Sequence, residues 1–509
     1  MASTTSVRTT ASQYAGKNYI DGDWLIASGQ TFESLNPARF EEVIGVFPCS
    51  SAAEVDRAVR AARKAFPQWR ATSRIRRGEC FDHLAQLIKR DLDPLSKLVA
   101  RESGKALNEA RADVVEGLHM VQYVFSTARM PYGDVLASEI GDKDAYMRRK
   151  PRGVVAVITP WNFPFAIPLW MLGPSLLEGN TAVFKPSEDT PAIAQRLVEL
   201  FDEAGFPAGV VNLVHGMGEE TGDALVRHAD VDVVCFTGSY EVGSQIKQIC
   251  AADFRKLAAC EMGSKSSVIV LDDARMELAL NAAVLSAFKT SGQRCVSAGR
   301  ILVHEKLFDE FSRRFVEQTK RIKIGDPLAD GVFMGPMINQ AGVDKTLRYN
   351  ELARTEGARV LLDGGRMNDG DYADGYFVSP FVYQIEPKPS VRCIREEVFG
   401  PHVGLIPVKN VDHAIQIYND TDYGLAMAVI TEDYRKARRL RDECDYGLGY
   451  VNLPCIGAEV HLPFGGVKKS GNGHPSAAGL IDTVTHKTAW TVNHAETIEM
   501  AQGLSAQLA

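Results

Sequence analysis

The 509-residue chain has no CxxC pair, although it holds nine cysteines. That absence excludes a zinc ribbon and a thioredoxin-type redox motif, and scattered thiols imply a reducing cytoplasm. The chain also lacks a basic excess, with a formal net charge of −7. Nucleic-acid binding needs a basic face, so small metabolites and other proteins remain as partners. A secretory leader is not expected at the start. The first 20 residues are rich in Ser and Thr and free of acids, but they hold two basic residues and no apolar core. A disordered tail is expected there rather than a cleaved signal. Long uncharged apolar runs are missing too, with one exception. "VVAVITPWNFPFAIPLWMLGPSLL", residues 154–177, carries no charge in 24 positions.

By length that run could cross a membrane. Its four prolines, Pro160, Pro164, Pro168 and Pro174, rule out one straight span, since proline costs about 3 kcal/mol in a helix interior. The run divides better into a β-branched strand, "VVAVIT", a proline-punctuated turn and a buried helix. A wholly apolar strand belongs in a parallel sheet covered on both faces. "TPWNFP" then lies just past the C-terminal edge of that sheet, where open α/β sheets hold their ligands. Asn162 is the only amide there.

The same grammar recurs. "NTAVFKPSEDTPAIAQRLVELFDEAG" reads strand, turn and helix, with Ala194, Leu197, Leu200, Phe201 and Ala204 on one helix face. "GVVNLVHGMGEETGDALVRHA" and "VDVVCFTGSYEVGSQIKQICAA" repeat it, and "KSSVIVLDDA" is another strand. "RILVHEKLFDEFSRRFVEQTKRI" opens a second set. Strands alternating with helices mean βαβ units and a mostly parallel sheet. At roughly 100–200 residues per domain, two α/β halves are expected, with a changeover near residue 265. "SSAAEVDRAVRAARKAFPQWR" reads as a capped amphipathic helix. "DAYMRRKPRGVVAV" and "THKTAWTVNHAETIEM" break the alternation and suggest strands outside the main sheets.

Several short motifs carry reactive groups. "KTSGQRCVSAGR" sets Cys295 among small residues beside Arg294. A lone cysteine is usually an apolar filler, but here backbone amides have room to approach a ligand, and a guanidinium can lower a thiol pKa. No short Cys-His motif supports a protease. "ACEMGSK" holds Glu261, "FTGSYEVG" holds Gly238 and Ser239 where a strand meets a helix, and "KPSE" holds Lys185 and Glu188. A helix N-terminus can hold a phosphate through its free N–H groups. "HGMGEETG", "EEVFGP" and "PFGGVKKSGNGH" read singly as structural turns.

Together and in order, these motifs resemble the NAD(P)-dependent aldehyde dehydrogenase superfamily, from about Tyr19 to about His494. Glu261 precedes Cys295 by 34 residues, an interval that also looks like this family. The resemblance implies two doubly wound Rossmann-like α/β domains plus a small β oligomerisation element. Residues 1–130 and 153–262 would bind NAD, 263–465 would carry catalysis, and 131–152 with 482–497 would supply exchanged strands in a homo-dimer or homo-tetramer. It implies Cys295 as the thiolate nucleophile, Asn162 as an oxyanion donor and Glu261 as the base for thioester hydrolysis, with Lys185 also in the catalytic set. The cofactor would meet Thr159, Pro160, Trp161, Lys185, Ser187, Glu188, Gly218, Phe236, Gly238, Ser239, Glu261, Met262, Gly263, Glu397 and Phe399. No metal is implied. Glu188 would repel a 2′-phosphate, which favours NAD over NADP. The partner would be a small-molecule aldehyde, with no nucleic acid and no membrane.

The chain departs from the family's usual "ELGGK" at Met262 and Ser264, and has His474 where an Arg is frequent. "GQRC" and "NLPCIGAEVHLPFGG" resemble the semialdehyde-oxidising branches. "GQRC" also occurs in the CoA-acylating methylmalonate-semialdehyde branch, which lacks a glutamate at the position of Glu261; hydrolysis to a free acid is therefore favoured. A non-catalytic relative, as in lens proteins, would not need Cys295, Glu261, Asn162 and Lys185 intact. The loop 455–461 would read the aldehyde's tail, and the tail after His494 is apolar enough to pack on a neighbour.

Overall fold

The structure, a computed structural model, describes residues 14–26 and 29–501. Of the first 20 residues, expected as a disordered tail, 1–13 lie outside the described residues; the other seven are ordered, with Tyr14–Ala15 and the buried Asn18–Ile20 as strands, because each pairs with a later strand of the chain. Two large mixed sheets organise the chain. The first has eight strands, in the order Gly471–Asn472, Leu257–Glu261, Val233–Thr237, Val154–Ile158, Thr181–Lys185, Val211–Leu213, Asn18–Ile20 and Asp23–Leu25. Its five central strands are parallel and the strands beyond them run antiparallel to their neighbours. The second has seven, Arg359–Leu362, Phe381–Gln384, His402–Val408, Ala298–His304, Ser266–Val270, Ala426–Ile430 and Leu448–Val451, all parallel save the first. The chain crosses from one sheet to the other between Glu261 and Ser266.

Sequence explains the central pieces. In the Val154–Ile158 strand the first four residues are buried, as a strand covered on both faces requires. Pro160 and Pro164 fall in the turn after it, and the helix Ala166–Leu177 is buried along its whole length. Pro174 lies inside that helix. Among the described residues no helix is long and apolar enough to cross a membrane. The helix Ala52–Ala71 starts with the expected capping box, in which the Ser51 hydroxyl and the Glu54 side chain each accept the other residue's backbone N–H. One segment differs. After Val211–Leu213 the backbone makes a π-helical turn at Gly218–Gly222 before the short helix Asp223–Arg227, so "HGMGEETG" opens the helix with a widened turn.

The two segments outside the alternation pair with each other. Thr485–Asn493 runs antiparallel to Lys143–Pro151 over nine register pairs, and Gly133–Leu136 flanks the latter. Among the described residues after His494, Glu499 accepts the Lys143 amine at its carbonyl, at 2.8 Å. Ile498 and Met500 stay exposed.

Candidate active site

Two clefts open along the C-terminal ends of the first sheet and share Thr237 in their walls. The larger, about 740 Å³, gathers Thr159, Lys185, Ser187, Glu188, Gly218 and Phe236. The Lys185 amine lies 3.1 Å from the Glu188 carboxylate. Lys185 therefore sits with the cofactor set and not beside Cys295. The cleft wall also carries Glu219, Glu220 and Asp223. A Cβ added at Gly218 or Gly222 would meet no atom within 4 Å, so this wall is open to a ligand.

The smaller cleft, about 290 Å³, gathers Pro160, Trp161, Asn162, Gly238, Ser239, Met262, Gly263, Cys295, Glu397 and Phe399. Ser239 caps the helix Tyr240–Ala251, its hydroxyl accepting the Val242 N–H at 3.3 Å. Trp161 and Phe399 meet edge-to-face, with centroids 5.5 Å apart. Phe399 holds φ at +62°, a strained setting for a residue with a Cβ. The Glu397 carboxylate accepts the Ser264 N–H at 2.7 Å. A Cβ on Gly263 would come within 2.4 Å of that carboxylate, so only glycine lets the two motifs touch.

Asn162 is buried, and its amide nitrogen donates to the Gln293 carbonyl at 3.1 Å. That acceptor fixes which side of the amide is nitrogen and leaves its second N–H free. Arg294 lowers the thiol pKa, but as the least of the causes acting on it. Its guanidinium pairs with Glu109, and its Nε donates to the Thr290 hydroxyl at 2.9 Å. The expected lowering of the thiol pKa is overridden. Burial first, then the Glu261 and Glu397 carboxylates, push the Cys295 thiol up.

Glu261 ends its strand opposite Gly471. It lines neither cleft: a Cβ on Gly471 would lie 3.0 Å from its Oε2. Neither carboxyl oxygen has a partner in hydrogen-bond geometry, and burial drives its pKa well up, with the Gly466 amide pulling weakly the other way. Sequence reading missed Gln293, Asn339, Gly342 and Lys345, which line the smaller cleft. Asn339 caps the helix Gln340–Thr355. The only signal there is an ordinary Asn N-cap, which marks a helix start and not a site.

A pH dependence follows from the thiol. A cysteine reacts as its thiolate, and burial here favours the neutral thiol of Cys295, the nucleophile expected from the sequence. The rate of the first turnover should therefore climb from neutral to alkaline pH. Stopped-flow NADH formation checks it, and a flat or falling profile would exclude a neutral resting thiol.

The aldehyde dehydrogenase family profile matches residues 24–489. The chain belongs to this family, and it is an oxidoreductase acting on aldehydes. It is 38% identical over 456 residues to the alpha-ketoglutaric semialdehyde dehydrogenase of Bacillus subtilis, covering 89% of this chain and 93% of that protein. A D-glyceraldehyde dehydrogenase (NADP(+)) of Picrophilus torridus is 37% identical over 440 residues, covering 86% and 88%. Betaine aldehyde dehydrogenase from Staphylococcus aureus, solved in complex with NAD+, superposes with a TM-score of 0.91 at 33% identity, covering 96% of this chain and 97% of that one. None of these relatives supports the CoA-acylating alternative.

Proposed function

We propose that this chain oxidises a carboxylate-bearing semialdehyde to the free acid with NAD, through a thioester on Cys295. One observation carries the reading: Cys295, Asn162, Gly263 and Glu397 line a single cleft. The thiolate of Cys295 bonds to the aldehyde carbon, and the carbonyl electron pair moves to oxygen. Asn162 Nδ2 and the Cys295 backbone N–H donate to that oxyanion. Bound NAD supplies the hydride acceptor that turns this adduct into a thioester. Glu261 then takes a proton from water as the water attacks, the C–S bond breaks, and the acid leaves.

The donor set fits a dinucleotide. Lys185 and Glu188 would hold the adenosine ribose, Ser239 and the helix N-terminus behind it the pyrophosphate, and Glu397 with Phe399 the nicotinamide ribose. Thr159, Pro160, Trp161, Ser187, Gly218, Phe236, Gly238, Met262 and Gly263 would complete the walls. Residues 1–130 and 153–262 would form this cofactor domain and 263–465 the catalytic one. All nine thiols are free, consistent with a reducing cytoplasm.

Four carboxylates line the larger cleft, and its Lys185 is already paired. A 2′-phosphate would meet like charge. NAD should exceed NADP in kcat/KM by about tenfold or more, a difference of about 1.4 kcal/mol. A panel of aldehydes with and without a terminal carboxylate, run with each cofactor and with CoA added, tests the whole reading. NADP winning, a requirement for CoA, or indifference to the carboxylate would each sink its part.

Residues 131–152 and 482–497 would join chains. The Thr485–Asn493 strand forms an outer edge of its sheet, nine residues long, with Trp490 exposed. Bare edges of that length are a liability unless covered. Light scattering at micromolar concentration should give a dimer or tetramer; a monomer would refute this.

A further inference from the structure

The turn that carries Cys295 is held in an unfavourable backbone conformation. Thr290 and Ser291 have φ of +53° and +55°, consecutive non-glycine residues in the left-handed region. Residues with a Cβ rarely adopt it, and then singly. Outside contacts must hold them: the Ser291 hydroxyl donates to the Gly335 carbonyl at 2.7 Å, and the helix Leu107–Thr127 holds Thr290. The buried Glu109 carboxylate accepts the Thr290 N–H at 3.0 Å and the Thr290 hydroxyl at 2.9 Å. The same carboxylate pairs with Arg294, which donates back to the Thr290 hydroxyl. One turn along the helix, on the same face, Asp113 accepts the Ala166 N–H at 2.9 Å and pairs with Lys105 at 3.1 Å. The Lys105 amine lies 3.8 Å, and the Arg294 guanidinium carbon 5.0 Å, from the ring centre of Phe163, the neighbour of Asn162. One helix face thus grips both the nucleophile turn and the oxyanion turn.

We propose that Glu109 is a positioning residue for the reaction: it holds Thr290 in the left-handed region, ties Arg294 to that turn, and so sets Cys295 against Asn162. The proposal rests on Cys295 being the nucleophile. Glu109 lines neither cleft, so its loss should leave cofactor affinity unchanged.

The test uses the full-length enzyme and three variants: Glu109→Gln, Thr290→Gly and the double variant. Glycine takes positive φ at no steric cost, so Thr290→Gly should relieve the need for the clamp. Glu109→Gln should slow the first-turnover burst by about 10²-fold, the scale of a misplaced reacting group, while NAD affinity stays at the wild-type value. In the Thr290→Gly background the same substitution should cost less than about a tenth of that factor. A wild-type burst in Glu109→Gln, with or without a lowered melting temperature, overturns the proposal, and so does an equal penalty in both backgrounds. Parallel loss of NAD binding also overturns it. Should Glu109→Gln not fold, Thr290→Val removes the hydroxyl bridge alone. A slowed burst with NAD binding kept then supports the proposal, and a wild-type burst refutes it. Cys295→Ala run alongside keeps the two readings apart, since turnover in that variant would remove the nucleophile assignment whatever Glu109 does.

Discussion

Cys295→Ala should reduce NADH production to background, a fall of roughly 10⁴-fold or more for loss of a nucleophile, while NAD binding persists. The residue lies at the wall of the smaller cleft and packs partly against the main core. Alanine fills most of that volume, so folding should survive. The binding contacts proposed for the cofactor come from other elements, chiefly the ends of the strands Thr181–Lys185 and Val233–Thr237. Titration of the variant with NAD, followed by assay with the best aldehyde, separates the two properties. Retained turnover would take Cys295 out of the mechanism. Joint loss of binding and turnover would mean that the thiol's turn also shapes the cofactor site.

Glu261→Gln should keep the burst and lose the steady state. Glu261 is the proposed base for hydrolysis and not for acylation, so about one NADH per active site should still appear. General-base help is worth roughly 10²–10⁴-fold, so later turnover should fall by about 10²-fold or more. Burial pushes the pKa of this carboxyl well up and so favours its neutral form, and the carboxyl lies against Gly471, outside the lining of either cleft. A neutral acid cannot take a proton. The wild-type steady state should thus depend on the side chain turning toward the thioester and ionising there. If the variant loses the burst as well, Glu261 acts earlier, on the Cys295 thiol whose pKa it raises. If it turns over at the full rate, another base must be sought.

The alternating strands and helices were legible because each strand is buried by its own apolar residues, a local signal. So were "PWNFP", "GQRC" and "EEVFGP", whose reactive groups and turn residues sit side by side in the chain. The direction of Arg294 was not legible. Its partner Glu109 lies 185 residues away, and an acid followed four residues later by another on a helix reads as a solvated face. Burial of that face is a tertiary fact, fixed by the packing of Leu107–Thr127 on Ala166–Leu177. The orientation of Glu261 was equally hidden. Its surroundings come from Gly466 and Gly471, more than 200 positions on, in strands too short to give a periodic pattern.

The strand Gly471–Asn472 has a consequence for how the protein is made. It zips onto Leu257–Glu261, while Asn18–Ile20 and then Asp23–Leu25 finish the opposite side of the same sheet. During synthesis the N-terminal pieces emerge first, yet the ribosome must deliver almost the entire polypeptide before the border beside Glu261 is sealed. Until then that border presents open N–H and C=O groups to other nascent chains. Contacts so distant in sequence form late and slowly. Stalled or prematurely terminated chains should therefore be sticky as well as inactive, and a chaperone that shields this border would raise the yield of full-length enzyme.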